Sequence, residues 1–97
     1  MESRLLDAAQ DGDLSCVQQL LQQGADIDTS DNDGWTALMC AASEGHTNTT
    51  RYLVEQNADI EARTNYGWTA LLCAADKGHL DIVKYLRERE FLQRCTA

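Results

Sequence analysis

The sequence predicts an all-α solenoid of three helix–turn–helix units, and three observations carry that prediction. First, the stretch Gly34-Trp35-Thr36-Ala37-Leu38-Met39-Cys40-Ala41-Ala42-Ser43-Glu44-Gly45-His46 returns 33 residues later as Gly67-Trp68-Thr69-Ala70-Leu71-Leu72-Cys73-Ala74-Ala75-Asp76-Lys77-Gly78-His79, so that residues 31–63 match residues 64–96 at 14 of 33 positions. A fixed period of this size marks a stacked repeat. Second, residues 1–30 join the same register with nine identities to the second unit: Leu5, Ala8, Ala9, Gly12, Leu20, Gln23, Ala25, Asp26 and Ile27. Third, apolar residues recur at helical spacing between glycines, and proline is absent, which leaves no rigid break inside a helix.

In the first unit, Ser3 occupies the register position of Thr36 and Thr69. A hydroxyl there can accept a backbone N–H and cap a helix. The first helix is expected at Arg4–Gln10, with Leu5, Ala8 and Ala9 on one face and Gly12 as its stop. The second is expected at Leu14–Gln23, with Val17, Leu20 and Leu21 inward, Cys16 beside them, and Gly24 as the stop. Ala25-Asp26-Ile27-Asp28 leads outward, and Asn32-Asp33-Gly34 signals a tight hairpin turn. Thr36 opens the second pair, Ala37–Ser43 and Thr47–Gln56, where Asn57 replaces glycine as the stop because Asn tolerates the left-handed conformation best after Gly. Ala58-Asp59-Ile60-Glu61 and Asn65-Tyr66-Gly67 repeat the hairpin. Thr69 opens the third pair, Ala70–Asp76 and Leu80–Glu90, with Phe91 and Leu92 expected to fold back over it.

The middle unit departs from its neighbours. Where the others have Leu14, Cys16 and Val17 or Leu80, Ile82 and Val83, it has Thr47, Thr49 and Thr50. Their hydroxyls need partners, which the carbonyls four residues back can supply. Drift with local softness accounts for them, as does a deliberate weak point or a modified threonine. The two ends differ as well. The first pair carries Glu2, Arg4, Asp7, Gln10 and Asp11, and the last helix carries Lys84, Arg87, Glu88, Arg89 and Glu90. Polar terminal faces suit a stack with no further neighbour. The expectation is therefore a complete three-unit stack, capped at both ends and monomeric.

The Gly-x-Thr-x-Leu-x-x-Ala-Ala-x-x-Gly-His pattern and the trailing Gly-Ala-Asp-Ile resemble the signature of the ankyrin repeat family over nearly the whole chain. The resemblance implies an ankyrin-type helix-turn-helix solenoid with short β-hairpin loops. It divides the single domain 1–97 into an N-terminal cap at about 1–30, an internal repeat at 31–63 and a C-terminal cap at 64–97. It implies a non-enzymatic protein–protein interaction module acting as adaptor, scaffold or inhibitor. The alternative is a regulatory or targeting module of a larger protein or complex, with no independent partner. By the same resemblance, His46 and His79 are structural, bonding nearby backbone. The family's variable positions, which face the concave groove and hairpin tips, fall here on Asn32, Asp33, Trp35, Cys40, Ser43, Glu44, Asn65, Tyr66, Trp68, Cys73, Asp76 and Lys77. Trp35 and Trp68, in register, would form an aromatic ladder. They serve either as contact surface or as packing that stiffens the hairpins. The chain departs from the family at Ala37 and Ala70 (usually Pro), at Met39 and Leu72 (usually His), and at Asp28 and Glu61 (commonly Asn).

Composition bounds the partners. The net charge of −8 lies in the first half: residues 1–48 hold nine acids against Arg4, whereas 49–97 hold seven acids and seven bases. An acidic half argues against a nucleic acid backbone, which needs Lys and Arg. It suits a solvated surface, or a protein partner with a basic patch. There is no apolar run long enough to cross a membrane and no signal-peptide pattern at Met1-Glu2-Ser3-Arg4. The four cysteines, Cys16, Cys40, Cys73 and Cys95, include no Cys-x-x-Cys pair. Reduced thiols in a cytoplasmic or nuclear protein follow. Equivalent residues of stacked repeats sit about 8–10 Å apart, too far for a disulfide, which needs Cα atoms within about 7 Å.

The remaining motifs carry no chemistry. Asp31-Asn32-Asp33-Gly34 imitates part of a calcium loop, but its last ligand would be Cys40, where a bidentate Glu is required. Asn48-Thr49-Thr50 is a formal glycosylation sequon that stays bare without secretion. No metal set, phosphate loop or catalytic constellation stands in a motif context, so neither cofactor nor enzymatic activity is expected.

Overall fold

The computed structural model describes residues 2–95 and the side chains of 4–93. Six helices follow one another: α1 Glu2–Asp11, α2 Leu14–Gln22, α3 Ala37–Ser43, α4 Thr47–Glu55, α5 Ala70–Asp76 and α6 Leu80–Cys95. Thr36 Oγ1 accepts the Met39 amide at 3.4 Å, and Thr69 Oγ1 accepts the Leu72 amide at 3.3 Å. Each hydroxyl thus satisfies one of the orphan donors of a helix start. Ser3 lies inside α1 rather than ahead of it, and its side chain is outside the described residues. Asp13 caps α2 instead, its Oδ1 accepting the Cys16 amide at 3.2 Å. Asn57 stops α4 with φ of 70°, as a non-glycine residue in the left-handed region.

The inner helices α1, α3 and α5 stack in one layer, with α3 packed between its neighbours, and α2, α4 and α6 form the outer layer. Alanines make the inner layer tight: Ala8, Ala9, Ala41, Ala42 and Ala74 are all buried. Leu5, Leu38, Leu53, Ile60, Ile82 and Leu86 fill the space between layers. The hairpins are tight turns rather than strands. Asp31 N donates to the Trp35 carbonyl at 3.0 Å, Thr64 N to the Trp68 carbonyl at 2.8 Å, and a single antiparallel bridge joins Ser30 to Thr36. Among the described residues no longer ladder forms, so the β-hairpin loops reduce to turns.

Polar rungs tie each unit to the next. His46 Nε2 donates to the Gln10 carbonyl at 2.8 Å, and His79 Nε2 donates to the Ser43 carbonyl at 3.1 Å. A carbonyl only accepts, so Nε2 carries the proton in both rings. Further out, Asp28 Oδ1 accepts the Asp59 amide at 2.9 Å, and Asn65 Nδ2 donates to the Asn32 carbonyl at 2.9 Å. Gly12 and Gly45, which follow the inner helices α1 and α3, lie beneath the histidine of the following unit. A Cβ on Gly12 would stand 2.5 Å from the His46 ring, and one on Gly45 would stand 2.7 Å from the His79 ring, whereas Gly78 has open space.

The C-terminal end differs from expectation. The stop that is Gly24 in the first unit and Asn57 in the second is Glu90 in the third. Nothing breaks the helix there, so α6 runs on to Cys95. Phe91 and Leu92 do not fold back; they sit on that helix, 66% and 51% exposed. The terminal face is not purely polar either, since Leu72 is 46% and Leu80 73% exposed. This removes the premise on which a capped, monomeric stack was expected.

Candidate protein-binding groove

The hairpin tips are built by two residues that the sequence reading left out of the site. Asp31 Oδ1 accepts the amides of Asp33 and Trp35, each at 2.9 Å. One unit on, Thr64 Oγ1 accepts the amides of Tyr66 at 3.3 Å and Trp68 at 3.1 Å. The two are equivalent in register, and each uses one side-chain oxygen to fold the tip and set the tryptophan that follows. Gly34 and Gly67 complete the turns with φ of 88° and 82°.

Between these tips and the inner helices lie two adjoining depressions. The first, about 260 Å³, is bounded by Asp31, Asp33, Trp35, Cys40, Ser43 and Glu44, with Gln10 at its edge. The second, about 330 Å³, is bounded by Trp35, Ser43, Tyr66, Trp68, Asp76 and Lys77, with Thr64 and Cys73 in its wall. Trp35 and Ser43 belong to both, so the two form one groove. Ten of the twelve predicted site residues line it. Asn32 and Asn65 do not. They join the tips, through the Asn65 side chain on the Asn32 carbonyl and the Asn65 amide on the Asp33 carbonyl at 2.9 Å. Gln10, Asp31 and Thr64 are the residues missed. Gln10 was findable, because it holds the register position of Ser43 and Asp76.

The two tryptophans are not equivalent. Trp35 is half-buried and packs against the core, whereas Trp68 is 40% exposed and Tyr66 85% exposed. The ladder therefore has an anchored rung and a free one. Its surroundings are mostly acidic: Asp31, Asp33, Glu44 and Asp76 against Lys77.

Neither groove cysteine is set up for nucleophilic chemistry. Burial first, then the charges of Asp31, the Cys73 thiol, Asp7 and Glu44, push Cys40 from 9.0 up to about 11. Burial, then Asp76, also raises Cys73. A thiol is reactive as its thiolate, and both sites disfavour that form. Cys16, Cys40 and Cys73 are free thiols; the side chain of Cys95 is outside the described residues. Among the described residues no three His, Cys, Asp or Glu converge as metal ligands, and no helix is long and apolar enough to cross a membrane.

No curated protein matches the chain. A family model described as ankyrin repeats, in three copies, matches residues 5–94. That match spans almost the whole sequence and agrees with the paired helices, the tight hairpins and the histidine rungs, so the chain belongs to the ankyrin repeat family.

Proposed function

We propose that this chain is a non-enzymatic protein-binding module whose groove takes a segment of another protein. Ankyrin repeats are in general protein–protein interaction modules. The single observation that carries the reading to this surface is the continuity of the two depressions through Trp35 and Ser43, with Trp68 and Tyr66 left to solvent beside them. Tryptophan and tyrosine bury much area for little lost freedom, and such residues dominate interface energetics. Acids around them favour a partner that presents an apolar anchor flanked by Lys or Arg, and disfavour nucleic acid. The rungs hold the groove in one shape, which lowers the entropy lost on binding. The compartment proposed is the cytoplasm or nucleus, and the role that of adaptor, scaffold or inhibitor.

The test is a quantitative pull-down from cell extract with wild type, Trp68→Ala, Tyr66→Ala and the outer-helix control Gln18→Ala, each checked by circular dichroism. A specific partner should be lost with the two groove variants and kept with Gln18→Ala, its affinity falling by roughly 1–3 kcal/mol for Trp68→Ala. A partner that ignores both groove changes and is lost with Gln18→Ala would place the interface on the opposite face. Arg51 is unsuitable as a control, because its guanidinium lies 5.3 Å over the Tyr85 ring and couples α4 to α6.

A further inference from the structure

Among the described residues, the face of α5 and α6 turned away from the second unit carries a surface that shares no residue with the groove. Positions buried between units elsewhere are uncovered here. Met39 is 1% exposed but its counterpart Leu72 is 46%, and Val54 is 1% exposed while its counterpart Arg87 lies in solvent. Along α6 an open depression of about 840 Å³ is bounded by Leu80, Val83, Lys84, Arg87, Glu88, Phe91 and Leu92. The opposite side of α6 is occupied: Ile82 and Leu86 are buried in the core.

The order of residues on the open side reads nearly the same in both directions. Leu80, Lys84, Glu88 and Leu92 form one ridge at spacings of four, and Val83, Arg87 and Phe91 form the next. Place a second α6 antiparallel to the first, with the two-fold axis opposite residue 86. Leu80 of one copy then meets Leu92 of the other, and Lys84 of each meets Glu88 of the other. Val83 and Phe91 then lie two residues apart along the paired axes, and Arg87 comes closest to its own counterpart across the two-fold. A parallel pairing would instead set Lys84 on Lys84 and Glu88 on Glu88.

We propose that this face binds a second copy of the chain in an isologous, antiparallel α6–α6 dimer. The self-complementarity of the Leu80–Lys84–Glu88–Leu92 ridge, in charge and in apolar pattern, is what a two-fold interface requires. Head-to-tail stacking fits less well. The opposite end of the molecule presents Arg4, Asp7, Asp11 and Asp13, so it would attract Lys84 and Arg87 but bury Leu80, Phe91 and Leu92 against carboxylates. A helix of 16 residues is about 24 Å long. The shared area thus falls below the roughly 800 Å² per partner of stable complexes, and a weak, concentration-dependent dimer is expected.

Analytical ultracentrifugation of the full chain from micromolar to millimolar concentration tests this, using wild type, Lys84→Glu, Glu88→Lys and the double swap. Both substitutions are on exposed positions, and circular dichroism confirms that each variant is folded. Wild type should pass from monomer to dimer and stop there. Each single variant should dimerise at least about tenfold more weakly, since it sets like charges against each other. The double swap should restore the wild-type dimer, because every pair is re-formed with reversed sign. A wild type monomeric throughout, a series of oligomers growing beyond the dimer, or a double swap no better than the single variants would each overturn the proposal.

Discussion

His79 and Gly45 are 34 positions apart, yet each explains the presence of the other. The imidazole donates to the Ser43 carbonyl and so covers the place where a Gly45 side chain would be. Gly78 has a similar φ, 77° against 80°, but no ring above it. Substituting alanine at either site forces a side chain into the left-handed region, at about 1 kcal/mol. Only Gly45→Ala adds a collision with a ring fixed by its hydrogen bond, for a further 1–3 kcal/mol or so. Denaturant melts of the two variants should therefore differ, with Gly45→Ala markedly the less stable. Equal losses would mean that the conformation alone decides. The thiols give a second prediction at this scale. Cys40 is raised to about 11, so the neutral thiol is favoured in the folded state. The sign follows: that contribution is complete below the ordinary thiol value of 9.0 and is lost as pH climbs from there toward 11. Thiol titration at pH 8 should show Cys40 and Cys73 reacting far more slowly in folded than in unfolded protein, and a fast-reacting Cys40 would contradict its burial.

Helix α4 holds the threonines that broke the apolar pattern. Thr49 and Thr50 are buried, at 2% and 0% exposure, where their neighbours in register are Ile82 and Val83. Thr50 Oγ1 donates to the His46 carbonyl at 2.8 Å, the i−4 bond the sequence suggested. That carbonyl also accepts the Thr50 amide at 2.9 Å, so Thr50→Val leaves it satisfied. The lost bond and the gained apolar area should roughly cancel, within about 0.5 kcal/mol. Thr49→Ile, copying the buried Ile82, should stabilise by about 1 kcal/mol through added apolar burial. A fall in melting temperature for Thr49→Ile would show that α4 packs too closely for the extra methylene. At the tips, Trp35→Ala should lower stability by about 1–2 kcal/mol, because the half-buried indole packs on the core. Trp68→Ala, more exposed, should leave the melting temperature nearly unchanged.

For the whole molecule, what was legible in the sequence was whatever repeats. Helix positions, threonine caps and glycine stops recur every 33 residues, and each recurrence is an independent reading of the same local physics. Most groove residues followed from register too. What escaped was whatever the register hides. Asp31 and Thr64 do the same work with different chemistry, so identity scoring passes over them. The run of α6 past Glu90 depended on the absence of a stop, and a missing residue is a weak signal. The inequality of Trp35 and Trp68 follows from packing, because among the described residues the third unit covers the second, whereas Trp68 is 40% exposed. At this scale electrostatics should govern partner encounter. Neutralising Asp33 and Glu44 should slow association with a basic partner at low ionic strength and matter little at high salt. Rates indifferent to both changes would remove the acids from the binding mechanism.

The histidine rungs give the stack a direction. Each seals the carbonyl end of the inner helix before it: His46 closes α1 and His79 closes α3. No such ring reaches the end of α5 within the described residues, where Gly78 looks onto open space. Local opening is therefore cheapest at α5 and α6 and advances unit by unit toward α1, like a zip with a single slider. In native-state hydrogen exchange the amides closing α5 should exchange first, those of α3 next and those of α1 last. Replacing His79 by Ala should move α3 into the fastest class and leave the rank of α1 unchanged.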